Sequence, residues 1–217
     1  MQQIISHLSP EYIALGIGHN NGAYYYSKEL LENIIPHIKT ERPWILINAE
    51  NQCMDNAIVI IHNNAHPERY EWLEGYKNLI LVCSQIKTLL RMIQDHPKCH
   101  SVYLPLSIDT DYVKQFKAKR KTREVAYFGR MAKCPQKIMV DPSIDKIYGE
   151  DREALLTTVS RYKKVYAIGR CALEAQCLGC KVLPHKGEWE NVKWELKDNK
   201  DVISMLQKII NEIDGKE

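Results

Sequence analysis

Arg170 and Glu174 lie four residues apart in "YAIGRCALEAQCLGCKVLPH" (166–185), a stretch that otherwise reads as two apolar strands joined by a short helix. On a helix that spacing puts both side chains on one face, one turn apart. The positions around them, Cys171, Ala172, Leu173, Ala175, Cys177 and Leu178, are small or apolar. The charged face must therefore meet water, a ligand or itself. Two readings stand side by side. One is an ion pair at a sheet edge. The other is a carboxylate at the carboxyl end of a parallel strand, where open α/β sheets bind ligands, accepting hydrogen bonds from paired hydroxyls such as a ribose diol.

Three further segments carry polar chemistry. In "VAYFGRMAKCP" (125–135) a strand is expected to end at Gly129, with Arg130 and Lys133 following within a turn. Such a pair can hold a diphosphate through charge-assisted hydrogen bonds, or be solvated in a loop. In "AIVIIHNNAHPERY" (57–70) an apolar strand ends in His62, with His66 four residues on. No Cys, His or Asp lies at ligand spacing, so zinc is not the reading; His62 either faces a ligand or is a hydrogen-bonded structural histidine. "LGIGHNNGAYYY" places Gly16, Gly18 and Gly22, with Asn21, between the first strand and an amphipathic helix. Glycines there let backbone approach a ligand, and the helix start offers N–H donors, although a plain βα turn has the same composition. Cys177 and Cys180 form a C-x-x-C near Cys171, but they flank an apolar helix and read as packing. The basic run "KAKRKTR" (117–123) is either a solvated linker or a contact for nucleic-acid phosphates.

These residues need a scaffold, and the pattern of apolar runs supplies one. Strands are expected at "IISHL", "PWILINAE", "AIVIIHN", "NLILVCS" and "SVYLPL", then at "EVAYFG", "KIMVD", "KIYG", "KVYAI" and "CKVLPH". Helices are expected at about 22–38, 84–95, 150–162, 170–178 and 199–213. Alternation of this kind predicts βα units around parallel sheets. The polar stretch "SIDTDYVKQFKAKRKTRE" predicts a domain connection near residue 120. The expected organisation is an α/β protein of two Rossmann-like domains, 1–110 and 121–200, facing a cleft, with a closing helix at 201–217.

The composition fits this. Of 217 residues, 45% are apolar and 26% charged, which suits a folded globular chain. Thirty basic and 27 acidic residues give a net charge of +3, so no global field compels binding to nucleic acid or membrane. No secretory leader or membrane-spanning run is evident. Seven cysteines, an odd number, fit reduced thiols. The expected location is cytoplasmic.

"GRCALEAQCLGCKVL" resembles the donor-binding helix of glycosyltransferases of the GT-B fold, especially the retaining family 4 type. "VAYFGRMAKCP" resembles the strand, Gly-Arg and lysine that open their donor domain, and "VYLPLSIDTDYV" is similar to their interdomain crossing, with Ser107 in place of the usual glycine and Asp109 retained. The resemblance implies that Glu174 binds a nucleotide ribose and Arg170 braces it or touches a phosphate. It gives Arg130 and Lys133, beside Gly129, the departing diphosphate. It also implies that His62 and the Gly16, Gly18 and Gly22 loop complete the donor and acceptor pocket. A family glutamate that contacts the donor sugar is replaced by Tyr166. The implied activity is metal-independent transfer of a sugar from a UDP- or GDP-linked donor to a glycan, small molecule or DNA, without a bound cofactor. Two alternatives are a phage-type DNA glycosyltransferase and a non-catalytic nucleotide-binding or regulatory protein on a reduced scaffold.

Overall fold

A computed structural model describes residues 3–6, 22–47, 54–61, 71–149, 151–184 and 192–215. Gly16, Gly18, Asn21, His62 and His66 lie outside the described residues. The chain forms two compact units: Met1–Pro105 with Lys200–Glu217, and Leu106–Asn199. Both are α/β, each built on a parallel sheet.

The first unit carries strands β1 (Gln3–Ser6), β2 (Trp44–Ile47), β3 (Ala57–Ile61), β4 (Ile80–Cys83) and β5 (His100–Tyr103), hydrogen-bonded in that order. The β3 and β4 sequences, AIVII and ILVC, are buried at every position. Unbroken apolar runs of this kind suit a parallel sheet covered on both faces. The expected helix at 22–38 begins as α1 (Gly22–Glu29) but widens to a π turn at Leu30–Ile34 and tightens to a 3₁₀ turn at Ile35–His37, which contains Pro36. Helix α2 (Ile86–Asp95) follows β4. Because the strand order rises steadily, the described strands of this sheet have no point where adjacent connections diverge.

The second unit contains α3 (Thr110–Lys114), β6 (Arg123–Phe128), α4 (Gln136–Met139), β7 (Asp145–Ile147), α5 (Arg152–Val159), β8 (Tyr162–Tyr166), α6 (Arg170–Cys177) and β9 (Lys181–Leu183). "KIMVD", expected as a strand, instead gives Lys137–Met139 to helix α4, with Val140 as its C-cap. A short apolar run has no decisive period, and Pro135 immediately before it sets an extended entry that a helix can follow. Residues 129–144 thus connect β6 to β7. The main core lies between the sheet and helices α3, α5 and α6, around Phe128, Leu156, Val165 and Leu173. A smaller cluster of Tyr127, Cys134, Ile138 and Ile144 packs on α4.

The last helix, α7 (Asn199–Asp214), returns to the first unit. It buries Val202, Leu206 and Ile210, a four-residue repeat on one face. Buried Arg42 holds its end, donating from Nε and Nη2 to Asp214 Oδ1 at 3.0 and 2.7 Å. No described helix is long and apolar enough to cross a membrane.

Candidate ligand site at the carboxyl edge of the second sheet

The second sheet has the strand order β7-β6-β8-β9. From β6 the chain leaves toward β7; from β8, its other neighbour, it leaves toward β9. The two connections diverge beyond adjacent carboxyl ends, and in open parallel sheets this divergence opens a crevice in which ligands bind. Tyr127 and Tyr166 are register partners across β6 and β8. The loops that follow them, 129–133 and 167–170, therefore leave the sheet side by side.

The first loop is fixed from below. Tyr127 is almost wholly buried, and its hydroxyl donates to the Arg130 carbonyl at 2.8 Å. The Lys133 amide donates to the same carbonyl at 2.9 Å, closing a 3₁₀ turn over Met131–Lys133. A Cβ at position 129 would stand 3.2 Å from the tyrosine hydroxyl, so Gly129 lets the loop lie against the ring. With its backbone held, Arg130 presents an exposed side chain. Among the described residues it has no ion-pair partner. Lys133 is exposed on the same loop.

The second loop ends at Gly169, the N-cap of α6, with φ 56° and ψ −135°. An L side chain is strained there, and no side chain caps the helix. Glu174 lies one turn in and is only 4% exposed. Its Oε1 accepts from Arg170 Nε at 2.9 Å and from Arg152 Nη2 at 2.9 Å. The ion-pair reading of Arg170 and Glu174 is realised, with a second guanidinium added. Arg152 opens α5 directly after the Asp151 cap, its guanidinium 5.5 Å from the centre of the Tyr112 ring. Its Nε is buried without a hydrogen-bond partner among the described residues.

Arg152 is the residue that local spacing misses. It stands 22 positions before Glu174 and meets it only because α5 and α6 pack together. Arg130 with Lys133, Arg152 and Arg170 thus follow the carboxyl ends of β6, β7 and β8, three adjacent strands, at one sheet edge. Arg152 and Arg170 share the single charge of Glu174, so this edge keeps a net positive charge, which suits an anionic ligand. Tyr166 is half-buried and packs against the Tyr127 cluster. Gly22 opens α1 in the other unit.

The cysteines near the site are packing residues. Cys177 and Cys180 belong to the main core. The Cys171 thiol, though at a helix N-terminus beside two arginines, is pushed up to about 12, chiefly by burial and then by Glu174. Among the described residues no three His, Cys, Asp or Glu side chains converge in a metal-binding cluster.

Searches of protein-family models, of curated proteins and of solved structures find no match to this chain.

Proposed function

We propose that the protein is a nucleotide-sugar-dependent glycosyltransferase of GT-B type, with the second unit holding the donor. The observation that carries this reading is the divergence of the chain beyond β6 and β8, which sets the Arg130 loop beside the start of α6. In this reading Arg130 and Lys133 receive the diphosphate. Glu174 accepts from the ribose hydroxyls through Oε2, since both arginines address Oε1. Arg152 and Arg170 hold that carboxylate in place.

The chemistry follows from charge. As the bond from sugar to leaving oxygen breaks, positive charge grows on the sugar ring and negative charge on the departing nucleoside diphosphate. A guanidinium presented from a held loop can neutralise the leaving group as its charge grows, an effect worth several kcal/mol of barrier. The acceptor hydroxyl oxygen forms the new bond to the anomeric carbon and its proton passes to the departing diphosphate oxygen.

The test is a panel of UDP- and GDP-linked sugars scored by thermal shift, with release of the nucleoside diphosphate followed by mass spectrometry. Arg130→Ala is the informative variant, because an exposed side chain can be removed without disturbing the core. At least one donor should stabilise the parent, and Arg130→Ala should bind it about tenfold or more weakly, the loss of one charge-assisted contact. Equal stabilisation of parent and variant overturns the site. Binding without hydrolysis or transfer makes the chain a nucleotide-binding protein instead.

A further inference from the structure

The net charge of +3 conceals an uneven distribution. Residues 106–199 hold 19 Lys and Arg against 13 Asp and Glu, a net of +6, whereas the rest of the chain holds 11 against 14, a net of −3. Charge asymmetry between parts of a chain points to a polyanionic partner, a nucleic acid or a membrane surface.

Six of these cations lie on the amino-terminal side of the second sheet. Lys117, Lys119 and Arg120 lie on the segment entering β6, Arg161 immediately before β8, Lys164 at the middle of β8, and Lys181 at the start of β9; all are exposed. Their neighbours are paired, Lys114 with Asp111, Arg123 with Asp145 and Lys163 with Glu124. These six have no ion-pair partner among the described residues.

Backbone contacts bring the segments that carry these six together. Lys164 and Lys181 are register partners on adjacent strands. The Thr122 and Arg123 amides donate to the Arg161 carbonyl at 2.9 and 3.1 Å, holding the segment beyond Arg120 against the start of β8. Lys117 lies over Gly179, its Cε 3.4 Å from where a Cβ would stand, two residues before Lys181. Like charges placed directly side by side across a sheet are unfavourable, and Glu124, the carboxylate that Lys164 feels, is already paired with Lys163. An external anion would relieve that repulsion.

We propose that this amino-side surface binds the phosphodiester backbone of a nucleic acid without reading its sequence. The exposed large apolar residues of the second unit, Met139, Val140, Tyr148, Val192 and Leu196, all lie outside the cationic segments. The surface thus lacks the wedges that enter a bilayer or stack on bases, and it offers point charges of the kind that contact phosphates. Lys117, Lys119, Arg120 and Arg161 precede the strands whose carboxyl ends carry Arg130 and Arg170, and six residues of β6 span roughly 20 Å. The inference does not depend on nucleotide-sugar binding.

Fluorescence anisotropy of the full chain with a labelled duplex of about 30 base pairs tests it, over roughly 50 to 200 mM salt. If each of the six cations neutralises one phosphate, affinity falls about a thousandfold across that range. The Lys164→Glu/Lys181→Glu double variant changes only exposed side chains, so its thermal midpoint should hold while it binds at least tenfold more weakly with a shallower salt slope. Lys208→Ala, in the other unit, should bind as the parent does. No binding at low salt, salt-independent binding, or equal binding by the double variant overturns the proposal. So does capture by phosphatidylserine vesicles with no capture of the duplex.

Discussion

Glu174 receives two guanidiniums on one oxygen, and that single atom joins α5 to α6. Removing the carboxylate leaves two partly buried cations facing each other, whereas removing one arginine leaves an intact pair. Glu174→Ala should therefore cost about 3 kcal/mol of stability and Arg170→Ala about 1.5 kcal/mol, read from urea midpoints. Equal, negligible losses would show that the pairing does not hold the helices. His96 offers a second residue-scale test. It is 6% exposed and its Nδ1 has no hydrogen-bond partner among the described residues. Burial holds its imidazole below the usual range, against the opposing pull of Asp95 and Glu74 and with a smaller push from Arg91. The unfolded chain then takes up the proton first. Stability associated with neutral His96 is present above about pH 6.5 and is lost as pH falls from there through the lower value of the folded imidazole. Urea midpoints measured between about pH 7.5 and 5.5 should fall for the parent and fall less for His96→Leu. At the same scale, the Cys171 thiol, pushed up to about 12 by burial, should resist iodoacetamide at neutral pH until the chain is unfolded.

At the scale of elements, the helix ends show what could be read in advance. Gly179, expected to close the helix before β9, has φ 77°; its amide donates to Gln176 O and the Cys180 amide to Ala175 O, both at 2.8 Å. That pattern is the paired closure glycine allows after a helix. Strand positions in both units were legible for a similar reason, since buried parallel strands are short, continuous apolar runs. "KIMVD" misled because four such residues also fit a helical turn. The basic run misled differently. Lys121 is not a solvated linker residue: its ammonium donates to Ser160 O at 2.8 Å and Leu178 O at 2.7 Å, capping the ends of α5 and α6 together. Lys121→Met would leave both carbonyls without that charge and should cost about 2 kcal/mol. A urea midpoint equal to that of the parent would contradict the cap. Only the three-dimensional closeness of two helix ends distinguishes this lysine from its exposed neighbours, and no spacing in the sequence records it.

At the scale of the whole molecule, strand order is the property that residue patterns carry least. Each strand could be found from its own side chains, but order depends on which apolar faces meet across long separations. The steady order of the first sheet and the divergent order of the second were therefore not legible, although the second decides where a ligand site can form. The return of α7 to the first unit was equally hidden, since an amphipathic helix does not name the surface that covers it. Arg42 is the sharpest probe of that return. It also donates to Asn78, from Nη1 to the backbone carbonyl and from Nη2 to Oδ1, so Arg42→Met should strand Asp214 and cost about 3 kcal/mol. Unfolding in urea followed by far-ultraviolet dichroism checks this. An unchanged midpoint would mean that the buried pair contributes nothing to docking of the helix.

The first unit is completed by residues that lie beyond the second in the chain. A ribosome therefore delivers every residue of the second unit before it delivers the helix that seals the first. On nascent chains the first unit must wait for α7, while the second has all its residues once Asn199 is delivered. Order of synthesis and order of completion run in opposite directions, so the first unit keeps apolar surface exposed until the last helix is made.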